Sequence, residues 1–341
     1  MDLAIDPKRG RRIFSLAAPI LVAMLTQNLI NIVDTIYIGK LDPAYSIPGQ
    51  AALGFSLPLY WSIGAFLAAI SVGTQATTAR RFGGGDEHEA GATLTNALSV
   101  GVLSAAIFTL VGWFVVPVVY PLLTSNPSVL ELGIPYTRIR IAAIIPMVCT
   151  FAFKGFFDGL GHTRVHMYAS LVMNTVNIVL NYIFIFGLGP IPAMYVTGAG
   201  IASALSTGVG LVAMAAWSLR GKYRDQFRYY QLSNLDPKMM WKLVKLSAPS
   251  GAAEIFMMSG GLFFLKVVAI LDEQAVITAL QTTRSYAGAF GATAADMQHQ
   301  LTSLKGWPGA ALSGDWAPTL LNSRPPIYTT ATKLIIDLLS L

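Results

Sequence analysis

Seven apolar stretches dominate this chain, at about 13–38, 52–79, 92–119, 134–157, 165–188, 196–219 and 243–270. Each exceeds the roughly 20 residues a helix needs to cross a bilayer. Only 12% of the residues are charged and 54% are hydrophobic, against about 25% charged in an ordinary soluble domain. The chain reads as a polytopic membrane protein. Backbone groups in lipid must be satisfied within the segment, so the spans are helices and the fold class is all-α integral membrane. Helix breakers fill the gaps: "KLDPAYSIPGQ", "RRFGGGDEHEAG", "PLLTSNPS", "DGLGHTR" and "GLGPIPAMYVTG".

The basic residues set the expected orientation. Lys8, Arg9, Arg11 and Arg12, then Arg80 and Arg81, then Lys154 and Arg164, and finally Arg220, Lys222, Arg224, Arg228, Lys238, Lys242 and Lys245 fall in the tail and the even-numbered gaps. The odd-numbered gaps hold Lys40 alone. By the positive-inside rule the N-terminus is cytoplasmic and the protein sits in the inner, plasma membrane. The net charge of +6 is therefore a topology signal, and nucleic acid is not a partner. Arg138 and Arg140 open the fourth span from the outer side and are expected to snorkel to the interface. The single cysteine, Cys149, allows no internal disulfide.

The text repeats itself at an offset of 230. "RIFSLAAPILVAMLTQ" opens the first span and "KLVKLSAPSGAAEIFM" the seventh, pairing Leu16 with Leu246, Ala18 with Ala248, Pro19 with Pro249 and Ala23 with Ala253. Leu41-Asp42 then meets Leu271-Asp272. Six spans separate the copies, an even number, so both start on the same side. That is a parallel repeat about an axis along the membrane normal, a plan typical of transporters with a cavity between halves.

Polar residues stripe two spans. Gln27, Asn31 and Asp34 share one face at i, i+4 and i+7, flanked by Asn28 and Thr35. In the fifth span Ser170, Asn174, Asn177 and Asn181 fall at i, i+4, i+7 and i+11. An ionised Asp near mid-bilayer costs about 2.5–3.5 kcal/mol on insertion scales. Two readings stand for the amides: hydrogen-bonded glue between helices, or the lining of a cavity. For Asp34 the readings are a carboxylate wetted at the headgroups or a buried cation site. A buried carboxylate with amide oxygens nearby can carry a proton or hold sodium, and loading it removes a buried charge. Pro19 and Pro249 lie inside their spans and bend them, as a static kink or as a bend that differs between states. Glu254 is a second-lobe carboxylate, either ionisable within the span or level with the headgroups.

"FGGGDEHEAG" joins two spans and follows no strand. It reads as a helix stop with Asp86 as the next N-cap, not as a phosphate cradle. His88, His162, His166 and His299 lack metal-site spacing, and no nucleophile–base pair is visible. The chain is not expected to be an enzyme or to hold a resident cofactor or metal, the coupling ion at Asp34 apart.

"SLAAPILVAMLTQNLINIVDTIYIGKL", "GTQATTARRFGGGD" and "KGFFDGLGHTRVHMYASLVMNTVNIVLNYIFIFGLGPIPAMYVTGAGIASALS" closely resemble the multidrug and toxic compound extrusion (MATE) family. The resemblance covers residues 13 to about 280 and is most specific over Lys154 to Ser206. It implies one part of a twelve-helix, two-lobed antiporter that exports small amphipathic or cationic compounds in exchange for protons or sodium, as a monomer when full length. A lipid or polysaccharide-precursor flippase of the same superfamily, or a truncated product that does not transport, are the alternatives. Carried over residue by residue, Asp34 is the first-helix coupling carboxylate, Pro19 bends that helix, and Asn177, Asn181 and Ser203 complete the ion site. Asn181 stands where one branch of the family has an aspartate, which leaves a single carboxylate there.

The expected organisation is a cytoplasmic tail at 1–12, a six-helix N-lobe at 13–219 and a basic linker at 220–242. The start of a second lobe follows at 243–283, then an atypical segment at 284–341. That last segment has no clean apolar run of 20 residues, so the second lobe is expected to be incomplete, through truncation, a frameshift or divergence.

Overall fold

A computed structural model describes residues 7–271, apart from the side chains at 7–10, 12, 13, 16, 24, 27–29, 262 and 264–271. The expectations for residues 272–341 lie outside the described residues. Those that are described form a helical bundle: α1 (Pro7–Gly39), α2 (Pro43–Ala68), α3 (Ile70–Gly83), α4 (Glu87–Leu123), α5 (Pro127–Ala142), α6 (Ile144–Gly159), α7 (Arg164–Phe186), α8 (Tyr195–Ser218), the short α9 (Gly221–Phe227) and α10 (Pro237–Leu271). All seven expected spans are helical. Four helical stretches are long and apolar enough to cross a membrane, with α2 and α3 counted together, and the α5–α6 pair makes a fifth.

One span is broken among the described residues. The fourth bends by 41° between α5 and α6. Pro146, three residues into α6, has no N–H for the Ala142 carbonyl, and its ring crowds that carbonyl. Ala143 N–H tightens onto Arg140 O at 3.1 Å instead. The second span starts earlier than its apolar text. Asp42 caps α2 through Oδ1, which accepts from Ala44 N–H at 3.0 Å, and Pro43 takes the first helical position, where a missing N–H costs nothing. "KLDPAYSIPGQ" is therefore mostly helix, not loop. At the second gap Asp86 Oδ1 accepts from Glu89 N–H at 3.0 Å, making Asp86 the N-cap of α4.

Packing places the polar residues. α7 lies against both α1 and α8. Gly187, at φ +79°, ends α7 in a conformation only glycine adopts freely, and the chain returns as α8. Gly198 sits directly on the Phe184 carbonyl, so a side chain there would collide with α7. That close approach sets the α7–α8 register at the candidate site. Elsewhere the core is apolar. Phe55, Tyr120, Ile141, Ile144 and Val148 pack at the centre of the α2–α4–α5–α6 group. Phe153, Phe156, Phe157, Phe227 and Tyr229 close the end where the linker folds back. Exposed Leu103, Ile107, Leu110, Phe114, Val118 and Leu122 give α4 a face suited to lipid.

Candidate functional site

Asp34 is 2% exposed. Its Oδ1 accepts from Asn181 Nδ2 at 2.6 Å, and its Oδ2 accepts from Ser203 Oγ at 3.1 Å. Asn181 Nδ2 also donates to Asn177 Oδ1 at 2.9 Å. Asn177 Nδ2 in turn donates to Ser203 Oγ at 3.2 Å and to Ser206 Oγ at 3.3 Å. Side chains from α1, α7 and α8 thus meet in one closed cluster. Asn177 and Asn181 tie helices together, and they do so around the carboxylate; neither is among the residues that line the neighbouring cavity. Asp34 is enclosed by protein, not by solvent.

The structure brings together Asp34, Asn177, Asn181 and Ser203, and it adds Ser206, which sequence reasoning missed. Ser206 follows Ser203 by three residues on α8, so it shares the face. The i, i+3 serine pair was the available signal.

Other striped residues do not join the cluster. Thr35 Oγ1 donates to Asn31 O at 2.8 Å, satisfied within its own helix. Asn31 is half-buried, and its side chain makes no hydrogen bond to the cluster among the described residues. Asn174 is buried with neither side-chain atom hydrogen-bonded. The side chains of Gln27 and Asn28 lie outside the described residues. Ser170 turns towards His166 at 3.5 Å. Pro19 lies buried within α1, and Pro249 lies exposed within α10. Glu254 is half-buried on α10, and no contact joins it to Asp34 among the described residues.

One expectation is corrected. Arg138 reaches outward, donating from Nε to Trp113 O at 3.0 Å. Arg140 does not snorkel. It is 5% exposed, with its guanidinium carbon 4.4 Å from the centroid of the Tyr60 ring. Residues two apart on a helix point to different faces, so Arg138 faces out of the bundle while Arg140 faces into it. Beside this cluster lies a cavity of about 120 Å³ lined by residues that include Tyr60, Trp61, Arg140, Lys154 and Ser203.

Chemically, the cluster is a lone carboxylate held by neutral donors in a medium that penalises its charge. A proton or a hard cation on Asp34 would remove that charge, and the donors could relax. The Oδ1 atom of Asn181 is buried without a hydrogen-bond partner and is an oxygen acceptor in reserve beside the carboxylate.

The bundle and its carboxylate-centred interior define a class: a multi-pass helical membrane protein with a polar site inside one lobe. Residues 19–183 match the MatE family model. The probable multidrug resistance protein NorM of Geobacillus kaustophilus is 30% identical over 255 residues, 73% of this chain and 54% of that protein. NorM of Bacillus subtilis, also named a probable multidrug resistance protein, is 28% identical over 252 residues, covering 72% and 54%. The chain spans about half the length of the curated relatives it matches. An inward-facing structure of a multidrug resistance MATE family transporter aligns with TM-score 0.69 and 23% identity, covering 95% of this chain and 71% of that one. An outward-facing structure of a transporter so described aligns with TM-score 0.68 and 23% identity, covering 96% and 76%. At that identity the likeness is one of fold. These two relatives and two structures are described as multidrug resistance proteins or transporters.

Proposed function

We propose that this chain supplies the ion-coupling lobe of a secondary active antiporter that exports small amphipathic compounds in exchange for a cation loaded at Asp34. The observation that carries this reading is the Asp34 cluster: a carboxylate buried among α1, α7 and α8 by Asn181 and Ser203. Asn177 fixes both partners and Ser206 backs Ser203. The coupling ion is a proton or sodium. Loading it neutralises the one carboxylate of the cluster and changes which packing of α1 against α7 and α8 is favoured. A membrane potential adds about 2.3 kcal/mol per elementary charge per 100 mV to such a step. The relatives' naming as probable multidrug resistance proteins supports drug-like compounds as the cargo.

In membrane vesicles from an efflux-deficient host, Asp34→Asn is expected to abolish cation-gradient-driven dye export while membrane insertion stays normal. Export at the unsubstituted rate would remove Asp34 from coupling.

The proposed setting is the inner membrane, with the N-terminus and the 220–245 segment cytoplasmic, as the basic residues demand. In a Cys149→Ser background, Lys40→Cys and Lys222→Cys should react with an impermeant thiol reagent from opposite sides. Both positions are exposed, so labelling from one side would overturn the topology.

A further inference from the structure

Arg140 is the buried charge that the Asp34 cluster leaves unused. Its Nε has no hydrogen-bond partner among the described residues, and its one described contact of note is the face of Tyr60. A guanidinium carries five N–H donors, no acceptor and a charge it cannot give up. An aromatic face offsets part of that charge but accepts none of the in-plane N–H groups. A buried donor set of this kind is costly unless something answers it.

The neighbours of Arg140 act on it only through space: Asp34, Tyr60 and Tyr136 lie within electrostatic reach, but no hydrogen bond joins any of them to the guanidinium among the described residues. The Asp34 oxygens accept from Asn181 and Ser203 instead. Lys154, on the same cavity, is paired with Asp158 at 2.8 Å. Among the described residues no carboxylate lines the cavity, and its walls include Tyr60, Trp61 and Met147. An organic cation entering here would meet a guanidinium and an ammonium. An oxyanion would meet a fork of donors that matches its two oxygens, with an aromatic and thioether wall for its apolar body.

We propose that Arg140 receives the oxyanion end of a zwitterionic amphipath in this cavity. The oxyanion half stands on the geometry around Arg140. The zwitterionic half rests on the exchange reading above. Exchange requires ligand and coupling cation to oppose each other's binding. A plain anion does the reverse, because neutralising Asp34 leaves more of Arg140's field for the anion. A cationic centre on the same ligand restores the opposition, since it is drawn to ionised Asp34 and repelled once Asp34 is loaded. Ser203 both lines the cavity and donates to Asp34, so that centre belongs on the Ser203 side.

Three matched probes test this by titration calorimetry on the full chain in detergent: 3-(2-naphthyl)alanine, its N-acetyl derivative and 2-(2-naphthyl)ethylammonium. They are respectively zwitterion, anion and cation. The zwitterion is expected to bind about tenfold more tightly than either of the others, the scale of one charge-assisted hydrogen bond. Arg140→Gln should weaken the zwitterion and the anion by about tenfold or more and leave the cation within about threefold. Arg140→Lys, which keeps the charge but loses the fork, should fall between.

Cation binding equal to zwitterion binding overturns the proposal, as does anion binding indifferent to Arg140→Gln. Anion binding equal to zwitterion binding overturns the zwitterionic half. If Arg140→Gln does not fold, the ranking of probes on the unsubstituted protein decides. The exchange reading fails separately. If the ranking holds while Asp34→Asn leaves gradient-driven efflux intact, the oxyanion site stands and exchange falls.

Discussion

α1 and α10 are two copies of one helix put to different uses. Both begin on a proline, Pro7 and Pro237, separated by the same 230 residues as the internal pair Pro19 and Pro249. Both run well beyond what a bilayer requires. Their polar content diverges. At the register of Gln27, Asn31, Asp34 and Thr35, α10 carries Met257, Gly261, Phe264 and Leu265. The acidic residue of α10, Glu254, falls opposite Met24 instead. Their neighbours differ as well: α1 lies on α7, whereas α10 lies on α2 and α3. Repetition has kept the scaffold, with its proline and its length, and has left the buried carboxylate of the described residues' cluster to one copy. A helix can lose such a stripe freely only where no partner donates into it, and α7 and α8 donate into α1.

The sharpest way to break this contrast is to give α1 the α10 residue. Asp34→Phe would leave the donors of Asn181 and Ser203 unpaired and force a ring into a filled polar site. Unpaired donors at about 1–3 kcal/mol each, with overpacking of similar size, should cost about 4 kcal/mol or more. Denaturant unfolding in detergent would read the loss. A cost below about 1 kcal/mol would mean that Asp34 is not held as described.

Asn181→Ala should cost less, about 2–3 kcal/mol in the same assay. The Nδ2 group bridges Asp34 and Asn177, so one charge-assisted and one neutral hydrogen bond are lost together. A result near zero would show that the α1–α7 contact is apolar in its energetics and that the polar stripe of α1 is not what distinguishes it from α10.

Asn174→Leu should show the smallest effect. Both of its amide atoms are buried without partners, so an apolar replacement of similar volume is expected to be neutral or to stabilise by about 1 kcal/mol. Clear destabilisation would mean that Asn174 belongs to the working stripe and that the cluster extends a turn further along α7.

Much of this arrangement was legible in the residues. Apolar length fixed the spans, because lipid leaves a helix no alternative to internal hydrogen bonding. The heptad-like spacing of Asn174, Asn177 and Asn181 placed them on one face, and Asp86 announced a helix start through a short side chain that can reach back to free N–H groups. Periodicity names a face, however, and not the helix that will oppose it. Three neighbours on one α7 face met different fates: Asn177 and Asn181 found α1 and α8, while Asn174 found nothing. Thr35 looked like part of the stripe and turned to its own backbone instead. That Asp34 meets Ser203, 169 residues away, depends on the close α7–α8 approach at Gly198. That Arg140 lies inside while Arg138 lies outside depends on the rotation of α5 after Pro127 and before the bend at Ala143. Sequence alone determined which side chains need partners, since that follows from polarity and burial in lipid. The tertiary structure decided which partners they have, because helix rotation and register are set by the packing of many apolar contacts that no single residue specifies.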